Sequence, residues 1–163
     1  MEIQIIGHAR TPWQRRQDAP HQPSARPDTP GSIEVEPQFN AALKDLESFN
    51  RIWLIFLFDR SQGYAPHVKP PRGGPKRGVL ATRAPNRPSQ LGLTAVELVR
   101  LDAEEGRLEV RGIDLLDQTP ILDIKPYLPF TDAFPDAGHG WLEKFLDAGI
   151  EPRLKKPWQP PRS

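Results

Sequence analysis

Proline occupies twenty of the 163 positions, about twice its ordinary share of roughly 5%, and nothing else in the chain restricts the fold as strongly. Each proline fixes φ, removes a backbone donor and is excluded from helix interiors and central strands. Long helices and wide sheets are disfavoured over most of the length, so the elements between the prolines are short. Residues 2–7, 32–36, 52–58, 78–82 and 120–124 each read as a strand. Residues 91–101 and 107–111 flank AEEG, and the second run alternates Leu108 and Val110 with Arg107, Glu109 and Arg111, the pattern of a hairpin with one buried face. Two stretches carry helical spacing. Phe39, Ala42, Leu43 and Leu46 follow Pro37, and Trp141, Leu142, Phe145 and Leu146 precede Gly149. Many short strands, one or two short helices and long loops predict a mainly β protein, a small antiparallel β-barrel. The expected organisation is one domain over residues 1–150, then a proline-rich basic tail over 151–163.

Composition narrows the function by exclusion. The chain has no cysteine, which removes disulfides, thiolate zinc sites and a cysteine nucleophile. His8, His21, His67 and His139 lie far apart with no HxxxH pair, so no metal centre is expected. There is no GxSxG elbow, no P-loop and no GxGxxG between a strand and a helix. The first apolar run is too short for a signal peptide and the longest, 52–58, is about a third of a membrane span, so a soluble cytoplasmic protein is expected. The net charge of +1 conceals a segregation: residues 60–96 hold seven Lys or Arg and no acid, while residues 97–151 hold thirteen acids against five Lys or Arg. Two solvated faces of opposite sign account for this, and so does a basic stretch that meets an anion such as a phosphate backbone.

Two segments exceed what a barrel needs. Residues 10–31 hold five prolines and four arginines without periodicity, and loops beyond about 12–15 residues are usually functional or disordered. Residues 81–93, ATRAPNRPSQLGL, set two arginines four apart and two prolines three apart between apolar ends, with no acid. A plain hairpin needs only about two to five residues. Here Pro85 and Pro88 are expected to hold Arg83 and Arg87 in a preformed loop, which lowers the ordering cost of binding an anion. Composition and spacing stop at a β-rich domain with a basic, proline-stiffened loop.

A resemblance goes further. FNRIWLIFLFDR (49–60), GVLATRAPNRPSQLGLTAVEL (78–98) and DLLDQTPILDIKPYLPF (114–130), with IIGHARTPW (5–13) and APHQP (19–23), resemble in order and spacing the TsaA-like, or TrmO, family. The likeness runs from about residue 2 to residue 141. It implies a single-sheet β-barrel that pairs as a homodimer and binds S-adenosylmethionine. It also implies transfer of a methyl group to the exocyclic nitrogen of the threonylcarbamoyl-adenosine beside the anticodon of tRNA. The chain departs from the family pattern where Asn86 stands for an aromatic residue, Ser89 and Gln90 for Asn-Pro, Asp59 for His, His21 for Arg and Gln118 for Gly. Two other readings stay open: an S-adenosylmethionine-binding barrel that methylates something else, and a non-enzymatic RNA-binding module built on residues 60–96.

By the same resemblance the donor site takes His21, Gln22 and Pro23 from the first long loop and Phe58 and Asp59 from the end of the apolar strand. It takes Arg83 and Leu93 from the stiffened segment, and Asp117, Gln118, Thr119 and Pro120 from a turn. A guanidinium fork such as that of Arg83 suits a carboxylate or phosphate. Phe58 suits stacking on the ligand and Asp59 a positive group, although core packing and pairing with Arg60 are the ordinary roles of these two. The backbone of the 117–120 turn suits an adenine edge, although D-x-T-P is also ordinary turn chemistry. Arg72, Lys76, Arg77, Arg87 and Lys125 are the candidates for tRNA phosphates, and no residue is assigned as a catalytic base.

Overall fold

The structure, a computed structural model, describes residues 3–71, 73–143 and 145. Among the described residues eight strands follow in order: β1 (Gly7–Arg10), β2 (Pro30–Val35), β3 (Arg51–Leu57), β4 (His67–Val68), β5 (Arg77–Gly78), β6 (Leu91–Asp102), β7 (Arg107–Arg111) and β8 (Pro120–Pro126). Six of these close into an antiparallel barrel in the order β1-β2-β7-β6-β3-β8, with β8 returning to β1. β4 and β5 make a separate two-residue ladder. The small antiparallel barrel expected from the sequence is the fold observed.

Period-two alternation decides which side chains enter the core. In β3, Ile52, Leu54 and Phe56 are buried while Trp53, Ile55 and Leu57 are half-buried on the outer face. The longest apolar run is thus buried on one face and only partly covered on the other. Ile33, Val35, Val96, Leu98, Leu108, Val110, Ile113 and Ile121 complete the interior. Gly92 sits opposite Phe56 on the β3–β6 ladder. A Cβ at Gly92 would run into the Phe56 ring, so the absence of a side chain is what lets that ring lie across β6.

Several boundaries differ from expectation. The first strand starts at Gly7, not residue 2, because its ladder with β2 begins at Gly7↔Val35 and Pro37 soon ends the partner. Ile3 and Ile5 are accordingly exposed. Val79–Ala81 form a 3-10 turn rather than a strand, closed by Thr82 Oγ1 donating to the Val79 carbonyl at 2.8 Å. The helical stretch after Pro37 is likewise a 3-10 segment, Pro37–Leu43. α1 is the single turn Pro129–Asp132. At the C-terminal side Gly140–Leu142 is 3-10; Leu146, Gly149 and the tail over 151–163 lie outside the described residues.

Antiparallel closure also fixes where the connections emerge. The β1–β2 loop (11–29), the β3–β6 connection (58–90) and the β7–β8 loop (112–119) all leave the same rim of the barrel. Segments a hundred residues apart in sequence are therefore brought together. Among the described residues no helix is long and apolar enough to cross a membrane.

Candidate functional site

At that rim opens a cavity of about 940 Å³, at the upper end of the range for small-molecule sites. The β3–β6 register pairs Trp53 with Ala95 and Ile55 with Leu93, so alternate residues of both strands share one outer face. Trp53, Leu57, Leu93 and Ala95 of that face line the cavity. The first long loop contributes residues 19–24, the β3 exit residues 58–62, the stiffened segment Arg83, Pro85 and Asn86, and the β7–β8 loop Gly112 and residues 114–116. Trp53 is held in place because its Nε1 donates to Asp132 Oδ2 at 2.8 Å, an oxygen that also accepts from the Leu128 amide at 2.9 Å. Those hydrogen bonds, from Leu128 first and then Trp53, hold the Asp132 carboxyl below the usual range. Phe58 meets the Phe56 ring edge-on at 5.0 Å.

Of the residues expected at the donor site, His21, Gln22, Pro23, Phe58, Asp59, Arg83, Leu93 and Thr119 line this cavity. Asp117, Gln118 and Pro120 do not, and the reason is visible in the backbone. The amides of Asp117, Gln118 and Thr119 donate to the carbonyls of Trp13 (2.7 Å), Ala9 (2.8 Å) and Leu116 (3.2 Å), so no N–H of the turn is left to read a base edge. Asp117 Oδ1 accepts from the Thr11 amide at 3.0 Å, joining the two loops. Burial alone would raise the Asp117 carboxyl, but the Thr11 amide, the Gln14 and Gln118 side chains and the Arg10 charge outweigh it and hold it low. Gln118 has φ 65°, a left-handed conformation that favours glycine. Pro120 is buried at the start of β8.

The stiffened segment is tied down along its length. Arg87 Nη1 donates to the carbonyls of Thr82 (3.2 Å) and Ala84 (3.3 Å). Asn86 Nδ2 reaches the Gln62 carbonyl at 2.7 Å and Gln90 Nε2 the Ser61 carbonyl at 2.9 Å. The Phe58 amide donates to the Gln90 carbonyl at 2.8 Å. Arg87 is thus a staple of the loop, with its Nη1 turned onto the loop's own carbonyls. Arg83 differs: it is exposed to the cavity and, among the described residues, makes no hydrogen bond or ion pair.

The other expected phosphate contacts are scattered. Arg72 lies outside the described residues. Arg77 stacks over the Trp141 ring at 5.2 Å, and Lys125 pairs with Asp123 at 2.8 Å. Lys76 is exposed but, like Arg77, Arg87 and Lys125, does not line the cavity. The cations that do line it besides Arg83 are Arg16, Arg51, Arg60 and Arg111, none of which the motifs single out. Arg111 pairs with Glu97 at 3.6 Å and Arg60 with Asp59 at 3.8 Å.

Sequence reasoning also misses Asp114. It lines the cavity, and its Oδ1 accepts from Thr94 Oγ1 at 2.9 Å. Burial pushes its carboxyl up to about 6, against the opposing pull of the Thr94 hydrogen bond, its own backbone and the Arg83 charge. The available signal was an acid set between two core residues, Ile113 and Leu115. Among the described residues no group of three His, Cys, Asp or Glu side chains is arranged to hold a metal ion.

Comparison with known proteins adds relatives to this geometry. The model of the tRNA-methyltransferase O N-terminal domain matches residues 8–133. A protein of Pyrococcus abyssi named as a probable S-adenosyl-L-methionine-binding protein is 43% identical over 139 residues, covering 85% of this chain and 74% of that protein. The tRNA (adenine(37)-N6)-methyltransferase of Escherichia coli K12 is 34% identical over 150 residues, covering 87% of this chain and 64% of that enzyme. The crystal structure of TrmO from Pseudomonas aeruginosa superposes with a TM-score of 0.72 at 38% identity, covering 86% of this chain and 62% of that one. The chain therefore spans less than two thirds of these last two proteins.

Proposed function

The chain belongs to the tRNA-methyltransferase O N-terminal domain family, and from that premise we propose that it transfers a methyl group from S-adenosylmethionine to the exocyclic nitrogen of an adenine in tRNA. The acceptor in this reading is the threonylcarbamoyl-adenosine beside the anticodon. The observation that carries the proposal is the composition of the rim cavity. S-adenosylmethionine bears a carboxylate, an ammonium, a sulfonium and a flat base. The cavity offers the unpaired guanidinium of Arg83, the carboxylate of Asp59, and the apolar surfaces of Phe58, Trp53 and Leu93. Each is of a kind that suits one part of the donor.

Arg83 would hold the donor carboxylate, Asp59 a positive group, and Phe58 and Leu93 the base or ribose. When bound, the donor supplies a methyl group on a cationic sulfur, open to in-line displacement. The protein's contribution is to hold the two reactants in contact and exclude water, an effect worth about 7–11 kcal/mol in favourable cases. Preorganisation is built into the walls, since Arg87, Asn86 and Gln90 bind the stiffened segment to itself and to residues 61–62 before any ligand arrives. Arg16 and Arg51, at the cavity edge, are the cations placed to meet tRNA phosphates.

The test is direct. Purified protein incubated with S-adenosylmethionine and tRNA carrying unmethylated threonylcarbamoyl-adenosine is expected to convert that nucleoside to its methylated form, read by mass spectrometry of the digest. Donor binding without any methylated tRNA nucleoside would favour the second reading, a barrel with another acceptor. The departures at Asn86, Ser89 and Gln90 motivate that alternative, because two of them serve the loop's own hydrogen bonding here.

The functional unit in this proposal is a homodimer. The support is an apolar outer edge on β6, where Leu91, Leu93 and Val99 are all exposed. Light scattering on an eluting peak is expected to give twice the chain mass of 18.4 kDa; a monomer mass at micromolar concentration would remove the dimer from the proposal.

A further inference from the structure

We propose that Asp114, positioned by Thr94 beside the cavity, accepts the proton that the adenine nitrogen loses during methyl transfer; this rests on the function proposed above. An exocyclic N–H must shed its proton for a neutral methylated product to form. The nitrogen's electron pair makes the new N–C bond, the C–S pair returns to sulfur as a neutral thioether, and the N–H proton passes to the carboxylate. Charge and atoms then balance with no further reactant.

Position and surroundings single out Asp114 among the carboxylates of the cavity. Asp59 is 3.8 Å from the Arg60 guanidinium and Glu97 is 3.6 Å from that of Arg111, so each already faces a cation. Asp28, the remaining acid of the lining, is exposed on the first long loop and stays hydrated. Asp114 instead receives its side-chain hydrogen bond from a neutral hydroxyl on β6, that of buried Thr94, at 2.9 Å. Arg83 is the charged group of the neighbouring loop whose field reaches it. His21 lines the same cavity from the first loop.

Burial supports the assignment. A carboxyl lifted to about 6 is ionised at neutral pH yet holds a proton more firmly than an ordinary aspartate, the compromise a general base requires. The Thr94 hydroxyl donates to the anion, so it fixes the carboxylate's orientation and moderates its basicity. Thr94 is thus a positioning residue, acting through Asp114.

The experiment compares the full chain with Asp114→Asn and Thr94→Val. Asparagine keeps the shape and can still accept the Thr94 hydrogen bond, so the fold, checked by circular dichroism, is expected to survive. S-adenosylmethionine affinity by calorimetry should stay within about threefold in Asp114→Asn, while single-turnover transfer to tRNA falls at least about a hundredfold. The wild-type rate should rise with pH through about 6, and this limb should vanish in Asp114→Asn, where His21 is untouched. In Thr94→Val the limb should move to higher pH, because the anion has lost a donor. Apart from turnover, carboxyl-labelled aspartate should show by NMR one resonance titrating near 6 that is missing in Asp114→Asn.

A transfer rate in Asp114→Asn within about tenfold of wild type overturns the proposal. So does a donor affinity that falls in step with the rate, which would make Asp114 a ligand-binding carboxylate, and so does a surviving pH limb. Wild-type protein that binds the donor but methylates no tRNA overturns the parent reading and this one with it, whatever the NMR titration gives.

Discussion

Replacing Arg83 by alanine is expected to weaken S-adenosylmethionine binding between about tenfold and a hundredfold. A hydrogen bond to a charged group is worth about 1.5–3 kcal/mol, and each 1.4 kcal/mol or so is a factor of ten in affinity. The size of the effect follows from Arg83 being the uncommitted arginine of the stiffened segment, where Arg87 is held by two carbonyls, while Arg111 and Arg60 of the cavity wall face Glu97 and Asp59. Stability should change by less than about 0.5 kcal/mol, because the side chain is exposed and makes no contact that the fold needs. Arg83→Lys should fall between, since a lysine keeps the charge but loses the planar fork. Arg87→Ala makes the contrast: it should lower the urea midpoint by freeing the loop while leaving the donor's charge contact in place. Calorimetry and urea titration on the three variants separate these outcomes. Unchanged affinity in Arg83→Ala would remove this residue from the donor site.

The barrel was legible because alternation and turn chemistry are local. Leu108 and Val110 against charged neighbours, bounded by Gly106 at φ 64°, could hardly fold otherwise. The motifs near Asp59, Arg83 and Thr119 were also legible through the family pattern, and antiparallel closure explains why they meet: all lie on connections that leave one rim. What stayed hidden depends on direction rather than identity. Nothing in RAPNRP says that Arg87 turns onto the carbonyls of Thr82 and Ala84 while Arg83 points into the cavity. Nothing in LLDQTP says that the turn's amides are taken by Trp13 and Ala9, residues more than a hundred positions away. Asp114 was hidden for a related reason. A carboxylate between two core residues is unusual, but only the fold shows that it meets Thr94 and a cavity, with the Arg83 charge in range but not paired to it.

Asp114→Asn is expected to stabilise the protein by up to about 3 kcal/mol at pH 8 and to leave it unchanged near pH 3. In the folded chain burial lifts this carboxyl from an ordinary 3.8 to about 6. Between those values the native state binds more protons than the unfolded state, so stability falls as pH rises through the window and the full penalty is present above it. Asparagine carries no charge to desolvate and keeps the Thr94 hydrogen bond, so its advantage grows over the same interval. Asp117 and Asp132 act with the opposite sign: their lowered carboxyls favour folding above the ordinary carboxylate range, and that contribution is lost as pH falls. Both are present in either protein and cancel in the difference, which isolates Asp114. Urea titrations of the two proteins at pH 4, 6 and 8 should give curves that diverge upward for the variant; parallel curves would mean that Asp114 is solvated and unable to serve as a tuned base. A chain that keeps a charged group where an uncharged one would fold better has that group for a reason other than folding.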